Sequence, residues 1–309
     1  MKTENEMPEA HERSGRDYFI RGQALSAPSL EPALYIVATP VGHLADITIR
    51  ALDTLAGADL VACEDTRVTR KLLQRYGIQA ETTAFHDHSG PRVAERIVER
   101  LGQGKAVALV SDAGTPLVSD PGYPLVKEVL AAGHKVVPIP GASSVLTALS
   151  AGGLPTDAFL FAGFLPNKEK ARRSRLAELG KVPATLVLLE SPNRVGALLA
   201  DAVAELGPDR EAVVCREMTK LHETFDRGTL SVLAERYADG PARGEIVVLI
   251  APPSSERAEI AGDDMDAMLR EALATMRVRD AADKVAEKTG LSRRDLYQRA
   301  LALKSSGDA

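Results

Sequence analysis

Three short segments rich in glycine, proline and small polar residues each follow an apolar run. They are Thr39-Pro40-Val41-Gly42-His43-Leu44, the stretch SDAGTPLVSDPG at 111–122, and Pro140-Gly141-Ala142-Ser143-Ser144. Glycine lets backbone amides and carbonyls come close to a ligand. Gly141-Ala142-Ser143 stands where a helix opens, so its free N–H groups can meet a ligand acceptor. No segment reads GxGxxG or GxxxxGK[ST], so the phosphate-cradling motifs lack their defining residues. A mixed set of donors and acceptors that includes the acid Asp112 suits a zwitterionic, cationic cofactor instead. Any one segment alone reads equally well as a tight turn capped by small residues; three on one sheet edge favour a site.

Ionisable residues gather near the ends of apolar runs. Glu64, Asp65, Arg67, His86, Asp87 and His88 do so in the first half, and Glu190, Arg216, Glu217 and Lys220 in the second. Such groups can share a proton with a hydroxyl nucleophile or stabilise its developing negative charge. Asp65 and Arg67 would serve as well as a helix N-terminal acid and a surface ion pair, and the histidines as ordinary loop residues. His86-Asp87-His88 lacks the four spaced ligands of a structural zinc site, and no metal is expected. Cys63 and Cys215 close the apolar runs LVAC and AVVC and read as small core residues rather than a disulfide.

The elements that must hold these residues follow from the hydrophobic pattern. Residues 1–32 are polar and without period, and read as a disordered arm. Apolar runs at 34–38, 59–63, 106–110 and 135–139 alternate with helical patterns, one of them capped at Asp46 and one a basic helix with Arg67, Arg70, Lys71 and Arg75. That alternation predicts a mostly parallel sheet covered on both faces, in a first domain spanning 33–153. A second α/β domain is expected over 154–252, with strands near 159–162, 184–189, 211–215 and 245–250. Pro252-Pro253-Ser254-Ser255 reads as a linker, and 262–305 as a small helical domain whose last helix is capped by Ser292.

The stretches LYIVATPVGHLADITIRALDTLAGADLVACEDTRVTRKLL, SDAGTPLVSDPGYPLV, VVPIPGASSVLTALSAGGLPTDAFLFAGFLP, LLESPNRV, VVCREMTKLHETFDRGTL and GEIVVLI, in this order, resemble the bacterial ribosomal RNA small-subunit methyltransferase I family. The resemblance covers about 33–251, and the tail is similar to that family's helix-turn-helix-like domain. It implies a tetrapyrrole methylase fold of two α/β domains, with S-adenosyl-L-methionine in the cleft between them. It also implies a homodimer, and 2′-O-methylation of a cytidine ribose in the decoding region of 16S rRNA, within the small ribosomal subunit. The chain departs from the family pattern at Val41, His43, Ser89 and Asn193, keeping polar side chains at the last three.

Within that frame the expected cofactor contacts are Pro40, Asp112, Ala113, Thr115, Gly141, Ala142 and Ser143, with Leu189 and Met218 as apolar walls from the second domain. Substrate handling falls to Asp65, Arg67, His86, His88 and Lys220, and RNA contact to Lys168, Lys170, Arg172, Arg173 and Arg175. The alternatives are a methyltransferase of the same fold acting on a tetrapyrrole or other small molecule, and a non-catalytic RNA-binding assembly factor.

Composition bounds these readings. The 309 residues are 45% hydrophobic, enough for two cores, and 26% charged. A net charge of −5 argues against indiscriminate coating of nucleic acid but leaves room for local basic patches. No run of 18 apolar residues and no secretory signal occurs, which points to a cytoplasmic protein with no membrane partner.

Overall fold

The computed structural model describes residues 16–86, 91–238, 244–253, 262–289 and 293–307. It opens with a hairpin, β1 (Asp17–Ile20) against β2 (Gln23–Ser26), where the pattern predicted a disordered arm. Arg21 and Gly22 form its two-residue turn with φ of 51° and 85°, the pair of positive values that a type I′ turn requires. Tertiary contacts hold the hairpin: Tyr18 is 1% exposed and donates its hydroxyl to Asp53 Oδ1 at 2.8 Å, and the Phe19 N–H donates to the Tyr76 carbonyl at 2.8 Å. Two four-residue strands carry too little local pattern to announce themselves, which is why the arm reading fails here. Residues 1–15 lie outside the described residues.

The first domain alternates β3 (Leu34–Val37), α1 (Ile49–Gly57), β4 (Leu60–Cys63), α2 (Thr66–Arg75), β5 (Thr82–Ala84), α3 (Pro91–Gly102), β6 (Val107–Val110), α4 (Tyr123–Ala131), β7 (Val136–Ile139) and α5 (Ser144–Gly152). All pairings are parallel, in the order β5-β4-β6-β3-β7. One core face packs Val37, Val61 and Ala108 against Leu52, Leu55 and Leu73; the other packs Leu34, Leu60 and Val107 against Ile97, Leu125 and Val129. Asp46 belongs to a short 3-10 turn, and the cap of α1 is Thr48, whose Oγ1 accepts from the Ala51 N–H at 3.1 Å. The three-residue β5 was not visible in the apolar pattern because TTA has no hydrophobic run.

The second domain contains β8 (Phe159–Phe164), α6 (Glu169–Leu179), β9 (Thr185–Glu190), α7 (Val195–Leu206), β10 (Glu211–Arg216), β11 (Thr224–Thr229), α8 (Leu230–Arg236) and β12 (Ile246–Ile250). Its strand order is β11-β10-β12-β9-β8, and only β8 with β9 is parallel. β11, TFDRGT, is a polar edge strand without an apolar run, so the hydrophobic pattern does not announce it. One face is covered by α6, α7 and α8. The other is covered by α5 of the first domain: Val145, Ala148 and Leu149 pack on Val187, Val213, Val247 and Leu249. Arg227 of β11 completes that seam by donating to the last carbonyls of α5, with Nε 3.0 Å from the Gly152 oxygen and Nη2 on Ala151. α5 is thus the strut between the two sheets.

The tail helices α9 (Gly262–Leu273), α10 (Val278–Thr289) and α11 (Arg293–Gly307) bury Leu269, Ala281, Val285, Leu296 and Ala300 against one another. Ser254, Ser255 and Ser292 lie outside the described residues. Among the described residues no helix is long and apolar enough to cross a membrane.

Candidate cofactor cleft and its surroundings

Because β3, β6 and β7 run parallel, the three glycine-bearing loops after them emerge on one edge. Hydrogen bonds knit them together. Thr39 and Gly114 exchange backbone bonds at 2.8 and 2.9 Å, Thr39 Oγ1 donates to the Ser111 carbonyl at 3.2 Å, and Thr115 Oγ1 donates to the Ala142 carbonyl at 3.1 Å. Ser143 caps α5, its Oγ accepting from the Leu146 N–H at 3.4 Å. Leu117 and Ser119 hold φ of 71° and 65°, and Glu217 and Thr219 across from them hold 52° and 63°. Non-glycine residues occupy that region at a cost of about 1–3 kcal/mol and concentrate at functional sites.

The two domains meet over a cleft of about 380 Å³. The first domain lends it Val41, Glu64, Asp112, Ala113, Ser119, Asp120 and Ser144. The second lends Phe164, Leu189, Glu190, Ser191, Pro192, Met218 and the stretch leading into β12, from Gly244 to Val247. The two domains come close at Gly42: a Cβ there would stand 2.6 Å from Lys220 Cγ and Thr219 Oγ1 and 2.8 Å from the Met218 carbonyl. The His43 N–H donates to Thr219 Oγ1 at 3.0 Å in the same place.

The charge of the lining is one-sided. Among the described lining residues Glu64, Asp112, Asp120, Glu190 and Glu245 are acids and none is a lysine or arginine, while Arg194 and Lys220 pair with Glu190 and Glu245 from outside the lining. Asp112 is partly buried, and burial raises its pKa; the Asp65 N–H, 3.0 Å from Oδ1, and Arg67 pull the other way. Glu190, 3% exposed, accepts from the Ser191 N–H at 2.7 Å and pairs with Arg194 at 3.3 Å. Phe164, Leu189, Met218, Ile246 and Val41 supply apolar walls. An acidic cleft with apolar walls favours a ligand that carries both positive charge and apolar surface.

Of the residues expected to contact cofactor, Asp112, Ala113, Leu189 and Met218 line this cleft. Pro40, Thr115, Gly141, Ala142 and Ser143 lie in the loops that build its wall, while Ser144 reaches the lining. Gly244 to Val247 was not foreseen. The carboxyl-edge rule finds residues after parallel strands, but β12 runs antiparallel to β9 and presents its beginning to the cleft.

Asp65 caps α2, its Oδ1 accepting from the Arg67 N–H at 2.8 Å. Its carboxylate is also forked by the Arg67 guanidinium, with Nη2 to Oδ2 at 2.6 Å, and the side-chain bond from Arg67, then the backbone bond, hold its pKa down at about 2. The pair is the helix-terminal acid and surface ion pair that the spacing allowed. Lys220 bridges Glu217 at 2.9 Å and Glu245 at 3.3 Å. Burial lowers its pKa, yet the bonds and charges of these two acids outweigh that and raise it. His86 follows β5 at the exposed rim of the same sheet edge. His88 lies outside the described residues.

The basic stretch at 168–175 divides. Arg172 does not face solvent: it is 6% exposed and its Nε meets Asp201 Oδ2 at 2.6 Å. It shares the inner face of α6 with Leu176 and Leu179, four and seven residues on, so helical phase removes it from any RNA surface. Arg173 is held by Glu205 at 2.6 Å and Glu169 at 3.8 Å, and Arg175 by Glu178 at 2.9 Å. Lys168 and Lys170 are exposed and form no ion pair among the described residues.

Comparison with known proteins identifies the fold and the family. Residues 33–234 match the family of Tetrapyrrole (Corrin/Porphyrin) Methylases, and 259–304 match the RsmI C-terminal HTH domain. The chain is 52% identical over 284 residues to a Ribosomal RNA small subunit methyltransferase I of Mesorhizobium japonicum, covering 91% of this chain and 96% of that one. A protein of the same name from Synechocystis is 42% identical, with 89% and 99% covered. Among solved structures, the methyltransferase CobJ aligns with a TM-score of 0.56 at 18% identity, over 71% of this chain and 94% of that one. A uroporphyrin-III C-methyl transferase from Thermus thermophilus, complexed with S-adenyl homocysteine, aligns with a TM-score of 0.52 at 20% identity, over 71% and 97%.

Proposed function

The chain belongs to the tetrapyrrole methylase family and, within it, to the ribosomal RNA small subunit methyltransferase I proteins, and from that membership we propose that it methylates the 2′-hydroxyl of a cytidine ribose in the decoding region of 16S rRNA. It is an S-adenosylmethionine-dependent methyltransferase of small-subunit ribosomal RNA.

The observation that carries the cofactor reading is the lining between the two sheets, in which the described residues supply five acids and no lysine or arginine. S-adenosylmethionine brings a sulfonium and an ammonium, and both are favoured where carboxylates stand in a partly dehydrated space. When bound, it supplies an electrophilic methyl group for in-line displacement. The protein's own part is to bind and orient. Asp112 offers a carboxylate fixed from behind by the Asp65 N–H. Phe164, Leu189 and Met218 keep water from the apolar side. Hydrogen bonds between the loops brace them, which lowers the cost of ordering on binding.

The substrate hydroxyl must give up its proton. Lys220 is kept charged by Glu217 and Glu245, so it serves as a cation at the Gly42 contact between the domains and not as a base. Asp65, with a pKa held near 2, is too weak a base and serves to cap α2 and aim Arg67. We assign the proton to His86, which follows β5 at the exposed rim of the sheet edge that bears the glycine loops. Exposed Leu44, Ile49, Leu146 and Leu221, on segments that adjoin Gly42, Thr48 and Ser143, support association as a homodimer, and a ribosomal substrate supports a cytoplasmic location.

The test is transfer of labelled methyl from S-adenosylmethionine to small ribosomal subunits that lack the modification. Label is expected on one cytidine, with the following phosphodiester resistant to alkali because its 2′-oxygen is blocked. Label on a base, or on a tetrapyrrole and not on RNA, overturns the proposal.

A further inference from the structure

α2 begins at the cleft and carries cations away from it. Glu64 lines the cleft, Asp65 caps the helix, and the helix then runs Thr66–Arg75 with no acid in it. Thr69, Leu72 and Leu73 are its buried face, while Arg67, Arg70, Lys71 and Arg75 are exposed. Arg67 is neutralised by Asp65, but Arg70, Lys71 and Arg75 form no ion pair among the described residues. On α6 the arginines are matched by Asp201, Glu205, Glu169 and Glu178. A ten-residue helix is about 15 Å long, so the uncompensated charge extends on that scale from the cleft rim.

This arrangement answers a problem that the cleft creates. Its acids attract a cationic cofactor and repel phosphate. A ribose brought to it carries a phosphate on each side, so the backbone needs cations just outside the acidic lining. We propose that the exposed face of α2, through Arg70, Lys71 and Arg75, is the track that holds the RNA backbone on its way to the cleft. The inference rests on the reading of RNA as substrate. It assigns phosphate contact to a helix on the first domain and leaves α6 with Lys168 and Lys170 alone.

The experiment measures binding of the full chain to small subunits lacking the methyl group, across a series of salt concentrations. Arg70→Gln, Lys71→Gln and Arg75→Gln together should weaken binding at least about tenfold and reduce the slope of log affinity against log salt by about 2, the share of three phosphate contacts. Affinity for S-adenosylmethionine, by calorimetry, should be unchanged, which also shows that the variant is folded. Arg70→Lys with Arg75→Lys should keep the wild-type slope, since charge and not fork geometry carries the contact. A triple variant with wild-type affinity and slope overturns the track. An unaltered protein that neither binds nor methylates the subunit overturns the functional reading and the track with it.

Discussion

The Asp65 backbone nitrogen lies 3.0 Å from Asp112 Oδ1, so the residue that caps α2 also holds an acid that lines the cleft between the domains. One residue thereby ties the start of the cationic helix to the chemistry of the cleft, and both acids can be tested separately.

Asp112→Asn should lower affinity for S-adenosylmethionine by about 10- to 100-fold, the worth of about 1.4–2.7 kcal/mol, while the fold is kept. Burial raises the Asp112 pKa, so ionisation completes above the usual aspartate range. A cationic ligand favours the ionised form, and wild-type affinity should fall as pH drops through the acid range. Titration calorimetry on both proteins checks this; an Asn variant that keeps the acid-side loss assigns it to another group.

Asp65→Ala should lower the melting temperature at pH 7, because the cap and the Arg67 anchor are lost. The folded pKa is depressed from 3.8 to about 2, so this contribution is present above the unfolded value and is lost as pH falls through the folded one. The gap between wild type and variant should therefore narrow between about pH 4 and pH 2. A gap independent of pH across that window removes the carboxylate from the account.

Arg172→Ala should cost about 3–5 kcal/mol in chemical denaturation, since Asp201 would remain buried without its partner. Arg172→Met with Asp201→Leu should recover most of that loss. The double variant should bind ribosomal subunits as the wild type does. Impaired RNA binding in a stable double variant restores Arg172 to the RNA surface.

Gly42→Ala should separate the two domains locally, because its Cβ would stand within 2.8 Å of Lys220, Thr219 and the Met218 carbonyl. Reduced affinity for S-adenosylmethionine and reduced methyl transfer are expected together, with modest loss of stability. Wild-type calorimetry on this variant shows that the Gly42 contact plays no part in forming the cleft.

Leu146→Glu with Leu221→Glu should yield a monomer in analytical ultracentrifugation, since Leu146 and the 92% exposed Leu221 would lose their covering. A wild type that sediments as a monomer refutes the homodimer.

Much of the site was legible because it follows β3, β6 and β7. Apolar runs alternating with helices dictate parallel strands, parallel strands put their following loops on one edge, and Asp112 stands in such a loop. The second domain was less legible. Its sheet is mostly antiparallel, so Gly244 to Val247 enter the cleft from the start of a strand, where the edge rule does not look. β11 and the β1–β2 hairpin are short or polar and acquire their structure from Arg227 on α5 and from Tyr18 on Asp53.

Charge shows the division most clearly. Local order along the chain determined which segments are helices, which loops carry glycine and acid, and that basic residues cluster on both α2 and α6. Whether those bases meet solvent or a carboxylate was decided only by folding, because Asp201 and Glu205 reach α6 from α7, 29 and 32 residues away, whereas no acid pairs with Arg70, Lys71 or Arg75 among the described residues. Side-chain periodicity is a property of neighbours in sequence, while electrostatic compensation depends on distance in space.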